Sequence, residues 1–190
     1  AGSAFLFFLH GIGLAAWFVP LSPVLAAHGM ADLRPYAFGT SAVAALVTPL
    51  LFGAVADRHA PPARVLRWLA FASAAFMALA SYSIQERWPT PAVLGLIQLH
   101  ALVTTPTWSL LTSIALSGMR DARREFGPVR SLGTFGWVGG CLLVSALGAD
   151  GSPRAGYTGA IFLALVGAGT RLLAETAPPA TDGVLTLRQR

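Results

Sequence analysis

No lysine occurs anywhere in the 190 residues, cysteine is represented once, by Cys141, and the acids number only eight. A lone thiol can close no internal disulfide and build no thiolate metal cluster, so a stapled secreted scaffold and a zinc ribbon are both excluded. Charged residues make up 11% of the chain, against about 25% in ordinary soluble domains. Together with 55% hydrophobic residues and a mean hydropathy of +0.64, that scarcity identifies a membrane protein. The formal charge of +5 comes from arginines placed between apolar runs. Their placement reads as membrane topology, and no nucleic-acid partner is expected.

What is present is a series of apolar runs. A bilayer core about 30 Å thick needs roughly 20 apolar residues per spanning helix. Six stretches qualify, near 4–27, 36–56, 65–84, 92–116, 131–149 and 155–174. They do not alternate as barrel strands would, so an all-α membrane protein with six transmembrane helices is expected. The first residue is Ala1 and the apolar run starts almost at once, without a signal-peptide pattern. The chain is therefore expected to be truncated at both ends, with 1–174 as a six-helix bundle and 175–190 as the start of a central cytoplasmic loop.

Arginine placement orients the bundle. Arg58, Arg64, Arg67, Arg120, Arg123, Arg124, Arg130, Arg171, Arg188 and Arg190 fall on one side, against Arg34, Arg87 and Arg154 on the other. The positive-inside rule makes the first side cytoplasmic and puts both ends of this chain there. All eight acids lie in loops, tail or helix ends. The intramembrane polar groups are instead His10, Gln98, His100 and a set of hydroxyls, and ionisable groups at such depth are candidates for function because of their cost.

Pro20 and Pro23 interrupt the first run and Pro106 the fourth, at corresponding places in two three-helix units. Such a pair is the mark of inverted repeats in transporters and points to the binding site, so the first and fourth spans are expected to line a cavity. Gln98, Thr105, Ser109 and Thr112 share one face of the fourth span. In the fifth span Arg130, Thr134, Trp137 and Cys141 recur at helical spacing, while Gly133, Gly136 and Gly140 form a neighbouring face suited to close packing. No serine has a G-x-S-x-G context and no carboxylate cluster offers a metal site, so neither enzymatic activity nor a cofactor is expected.

The segment "FGAVADRHAPPAR", with Gly53, Asp57, Arg58 and Arg64, resembles the G-x-x-x-D-R-x-x-x-R loop of the major facilitator superfamily, at the position that superfamily uses. "AAWFVPL", "PTWSLLTSIAL" and "EFGPVRSLGTFGWVGG" resemble its nucleoside:proton symporter family, and the likeness continues to "ETAPPA" after the sixth span. The resemblance implies the N-terminal half, two inverted three-helix repeats, of a twelve-helix secondary transporter of the bacterial inner membrane, with nucleoside and proton as its partners. It implies that Arg130, Thr134 and Trp137 contact the nucleoside, and that much of the proton-coupling machinery lies in the missing C-terminal six-helix half. His10 stands where that family commonly has glutamine, and His100 where tyrosine or asparagine is usual. Either imidazole is a candidate proton site or a polar cavity group, as is the Gln98 amide. A branch resembling phenylpropionate and oligosaccharide permeases shares the entry to the fifth span. In that alternative Arg130 would meet the carboxylate of an aromatic acid, or sugar hydroxyls. Six helices alone are expected to transport poorly, since the face built for the partner bundle would meet lipid.

Overall fold

The computed structural model describes residues 2–56 and 61–173. Asp57 and Arg58 of the loop motif, the tail 175–190 and its Arg188 and Arg190 lie outside the described residues; Gly53 falls near the end of a helix and Arg64 near the start of the next. All regular structure among the described residues is helical: α1 (Gly2–Phe18), α2 (Leu21–Ala27), α3 (Arg34–Ala56), α4 (Pro62–Gln85), α5 (Thr90–Ser117), α6 (Ala122–Ala146) and α7 (Arg154–Gly169), with short 3-10 turns at Ala31–Leu33 and Thr170–Leu172. Three segments among them are long and apolar enough to cross a membrane: Gly2–Ala27, Pro62–Gln85 and Ala122–Ala146. The helices fall where the apolar runs lie, α1 and α2 together occupying the first run.

Two boundaries differ from expectation for local reasons. α6 begins at Ala122 rather than near 131, because Asp121 caps it: its Oδ1 accepts from the backbone N–H of Arg123 at 3.1 Å and of Arg124 at 3.4 Å. Glu125 Oε1 reciprocates by accepting from the Asp121 N–H at 3.0 Å, an arrangement akin to a capping box. The break expected at Pro106 does not form, and α5 runs unbroken through it. Proline has no N–H to give the carbonyl four residues back. That carbonyl, of Leu102, instead lies 3.5 Å from Thr48 Oγ1 of α3, which donates to it across the helix pair. Pro20 does interrupt the first run, separating α1 from α2, whereas Pro23 sits in the first turn of α2, where no N–H is needed.

The helices alternate in direction. Gly2, Ser117 and Leu172 meet at one end, and Gln85 meets Tyr157 at the other. At the second end α2, α4 and α6 each close with a left-handed residue, Gly29, Arg87 and Gly148, whose following N–H returns to a carbonyl five residues back. α1 is central, packed on α5, α6 and α7; α4 lies between α5 and α7, and α3 leans on α5. One apolar cluster, around Trp17, Leu25, Met77 and Ile84, fills the second end, and another, around Leu6, Phe7, Leu66 and Leu111, fills the first. Leu46 on α3 and Phe135 and Leu142 on α6 stay exposed, as suits helices that meet hydrocarbon.

The tightest seam joins α1 to α6. A Cβ added to Gly136 would run into the Phe8 carbonyl, and one added to Gly11 into the Gly133 carbonyl. At Gly140 it would lie 2.7 Å from the Ile12 carbonyl oxygen. The backbones therefore touch, as small residues permit between membrane helices. Gly139 faces away, with Ile12 Cγ1 at 3.9 Å its nearest neighbour. Gly136→Ala is expected to force the helices apart at a cost of about 3 kcal/mol or more, seen as a lower melting temperature in detergent. Gly139→Ala should leave that temperature unchanged or slightly raised, since alanine is the better helix former. Equal tolerance of both substitutions would contradict the seam.

Candidate functional site

With α6 pressed on α1, the helix surface beside its glycine face looks into a cavity of about 370 Å³ lined by Leu14 of α1, Trp108 of α5, and Arg130, Gly133, Thr134 and Trp137 of α6. The three residues singled out in the fifth span are thus brought together. Thr134 is exposed, while Arg130 and Trp137 are half-buried. The Arg130 guanidinium carbon lies 4.1 Å from the centre of the Trp108 ring, a cation–π distance. The Trp137 indole leans against Phe18, ring centres 6.1 Å apart. Cys141, one turn further along, is free and half-buried.

Leu14, Trp108 and Trp137 also border a second cavity of about 190 Å³, which reaches Thr40 and Ser41 of α3 and His100, Thr104 and Thr105 of α5. The two form one stepped depression, apolar and aromatic on its walls with a few polar groups, the usual make-up of a small-molecule site. A third space of about 350 Å³ lies between α3, α4 and α5, bordered by Thr48, Thr105, Ser109 and Ser113. The first and fourth apolar runs do line the depression. Of the polar stripe on α5, Thr105 reaches the second and third cavities and Ser109 the third. Thr105 and Thr112 donate back to the carbonyls of Ala101 at 2.7 Å and Trp108 at 2.9 Å. Gln98 donates to the carbonyl of Thr40, a residue of the second cavity's wall, at 3.3 Å, and does not itself border either cavity of the depression.

The two histidines occupy different settings. His10 is fully buried in α1, with its Nε2 at 2.7 Å from Thr107 Oγ1. That hydroxyl spends its proton on the Thr104 carbonyl at 2.6 Å, so it accepts from His10, and Nε2 carries the ring proton. His10 Nδ1 is then a buried acceptor without a donor among the described residues. His100, on the cavity wall, has the opposite tautomer: its Nδ1 donates to the Ser73 carbonyl at 3.0 Å. Ser73 and Thr104 join their hydroxyls beside it, and Trp17 packs edge-on at 5.5 Å. The link between the two rings passes through the Thr104 carbonyl, which holds no proton, so hydroxyls alone do not connect them.

Sequence reasoning did not single out Trp108, Thr104, Thr107 or Ser73. A signal for part of this set was present, since His100, Thr104 and Trp108 repeat at i, i+4 and i+8 and so share a face of α5.

The model of the nucleoside H+ symporter family matches residues 3–184. Over 136 residues the chain is 32% identical to YegT of Escherichia coli (strain K12), a candidate nucleoside transporter; the match covers 71% of this chain and 31% of that relative. Among solved structures, a point mutant of the nucleoside transporter NupG superposes with a TM-score of 0.81 at 22% identity, covering 98% of this chain and 46% of that one. A second NupG structure gives 0.73 at 23% identity, with 93% and 44% covered. The chain therefore spans less than half the length of these solved relatives and shares their fold over that stretch. By its match along nearly the whole sequence, this multi-pass membrane chain belongs to the nucleoside H+ symporter family.

Proposed function

We propose that the chain is the N-terminal half of a proton-coupled nucleoside permease of the bacterial inner membrane, with its six helices arranged as two inverted three-helix repeats. A C-terminal six-helix half would close the depression from the other side, and rocking of the two halves would expose it alternately to each face of the membrane. Arg64, Arg67, Arg120, Arg123, Arg124 and Arg171 stand at or beside helix termini at the end where Gly2 and Leu172 meet, with Arg34, Arg87 and Arg154 at the opposite end. This supports a cytoplasmic position for the first end.

One observation carries the substrate assignment: a guanidinium, a hydroxyl and an indole stand together on one cavity wall at i, i+4 and i+7 of α6. The guanidinium and the Thr134 hydroxyl suit the oxygens of a ribose or a base, and the Trp137 indole offers a face to a flat ring. Among the histidines, His100 is the one on the cavity wall and the better placed to exchange a proton with it. His10 serves as a buried bond to Thr107. Gly53, Asp57, Arg58 and Arg64 are assigned to the conformational loop that lets the halves rock.

The full-length transporter containing this half should take up uridine saturably, and a protonophore should abolish accumulation. Uptake that survives a collapsed proton gradient would remove the coupling. Arg130→Ala should raise KM about tenfold or more, the worth of one charge-assisted hydrogen bond. Arg130→Lys should recover only part of it, because an ammonium lacks the planar fork. Uptake of an aromatic acid or a sugar, with none of any nucleoside, would replace the nucleoside reading with the alternative in which Arg130 meets a carboxylate or sugar hydroxyls.

A further inference from the structure

We propose that Trp108 is a positioning residue for substrate recognition: it holds the Arg130 guanidinium by its ring face and leaves the N–H donors of that group free for the solute. The inference rests on the assignment of Arg130 to the binding site.

The argument begins with how firmly the ring is held. Phe7 meets it edge-on with ring centres 5.3 Å apart, and the His10 imidazole lies at 5.2 Å. Its outer edge rests on the α6 backbone, where a Cβ at Gly133 would sit 2.8 Å from Trp108 Cη2. Gly133 is one turn beyond Arg130, so the missing side chain is what lets the indole slide along α6 and come under the guanidinium. The neighbouring residue, Thr107, ties the same turn of α5 to His10 of α1. The ring is thus located by three helices before Arg130 is placed on it.

The chemistry of the contact matters as much as its rigidity. A carboxylate partner would occupy two of the guanidinium N–H groups and cancel the charge. An aromatic face attracts the cation through its quadrupole and uses none of those in-plane donors. Among the described residues the recorded ion pair is Arg124 with Asp121, on the exposed surface, and the Arg130 head carries no hydrogen bond. Trp108 and Trp137 therefore divide the aromatic work on this wall. The first has a face engaged with Arg130, and the second is left to meet a flat ring.

Stepwise fluorination of the Trp108 indole, introduced at that codon in the full-length transporter, tests this without altering packing volume appreciably. Each fluorine weakens the quadrupole, so log Kd for uridine should rise steadily along the series, by about tenfold from the unsubstituted to the most fluorinated ring. The series should be flat in an Arg130→Ala background, because the ring would have no cation left to hold. A flat series in the wild-type background, or an equal slope with and without Arg130, would overturn the proposal. Gly133→Ala gives a second reading: by displacing the ring edge it should weaken uridine binding several-fold in the wild type and have little further effect in Arg130→Ala. Should the transporter bind an aromatic acid or a sugar and no nucleoside, the substrate assignment falls on that result alone. The same fluorination slope, read with the solute that binds, then decides the role of Trp108.

Discussion

Backbone contact between α1 and α6 is the constraint from which the rest of the architecture follows. Gly11 lies on Gly133, Phe8 on Gly136 and Ile12 on Gly140, so α6 is set against α1 without a layer of side chains between them. Van der Waals packing and close approach are the main attractions available between helices in hydrocarbon, where apolar burial offers little. Once the glycine face of α6 is fixed, its rotation about its own axis is fixed too. Arg130, Thr134 and Trp137 then point into the gap between α1, α5 and α6, while Phe135, Val138 and Leu142 point outward. A helix without those glycines would stand off and turn, and the same three side chains would not converge.

The interior beside that seam is polar but closed on itself. Thr104, Thr107, Ser73 and the two histidines satisfy one another and nearby carbonyls across α1, α4 and α5. A buried polar group left unpaired is expensive, so a set in which nearly every group is paired locks helix register more sharply than apolar contact alone. The opposite tautomers follow from which carbonyl each threonine or ring nitrogen must serve. His10 Nδ1 is the exception, a buried acceptor with no donor among the described residues, and it sits where α1 turns its face to Trp108.

The sequence exposed this architecture unevenly, and the reasons are physical. Apolar runs indicated where the helices among the described residues lie, because length and hydropathy are local properties of the chain. The glycine face of α6 and its neighbouring Arg130, Thr134 and Trp137 were legible because one helix carries them all, and helical period alone sorts them. The start of α6 was not, since "ARREFGPV" looks like a polar loop until the reciprocal contact between Asp121 and Glu125 is counted. Pro106 misled for a related reason: the Thr48 hydroxyl that meets the orphaned Leu102 carbonyl comes from another helix, 54 residues away in sequence. Trp108 shares a face of α5 with His100 and Thr104, but its partner on α6 could not be read from that spacing. A tryptophan in an apolar run is unremarkable until its neighbour across the bundle proves to be an arginine.

That pairing bears on how a charge persists in such surroundings. A guanidinium away from bulk water normally keeps its cost down by reaching to the interface or by pairing with an acid. The described acids, Asp32, Glu86, Asp121, Glu125 and Asp150, all lie at helix ends or in connections. Arg130 stands within α6, beyond its first two turns, and rests on an indole instead. An ion pair would have hidden the charge more completely, at the loss of the donors that make arginine useful for recognition. The aromatic face lowers the cost while keeping the fork open, and the half-buried position leaves water to complete the solvation when no solute is present. On the proposed assignment, such a site would bind an uncharged solute by its oxygens without first breaking a salt bridge, and the cation would not need to move for the solute to leave.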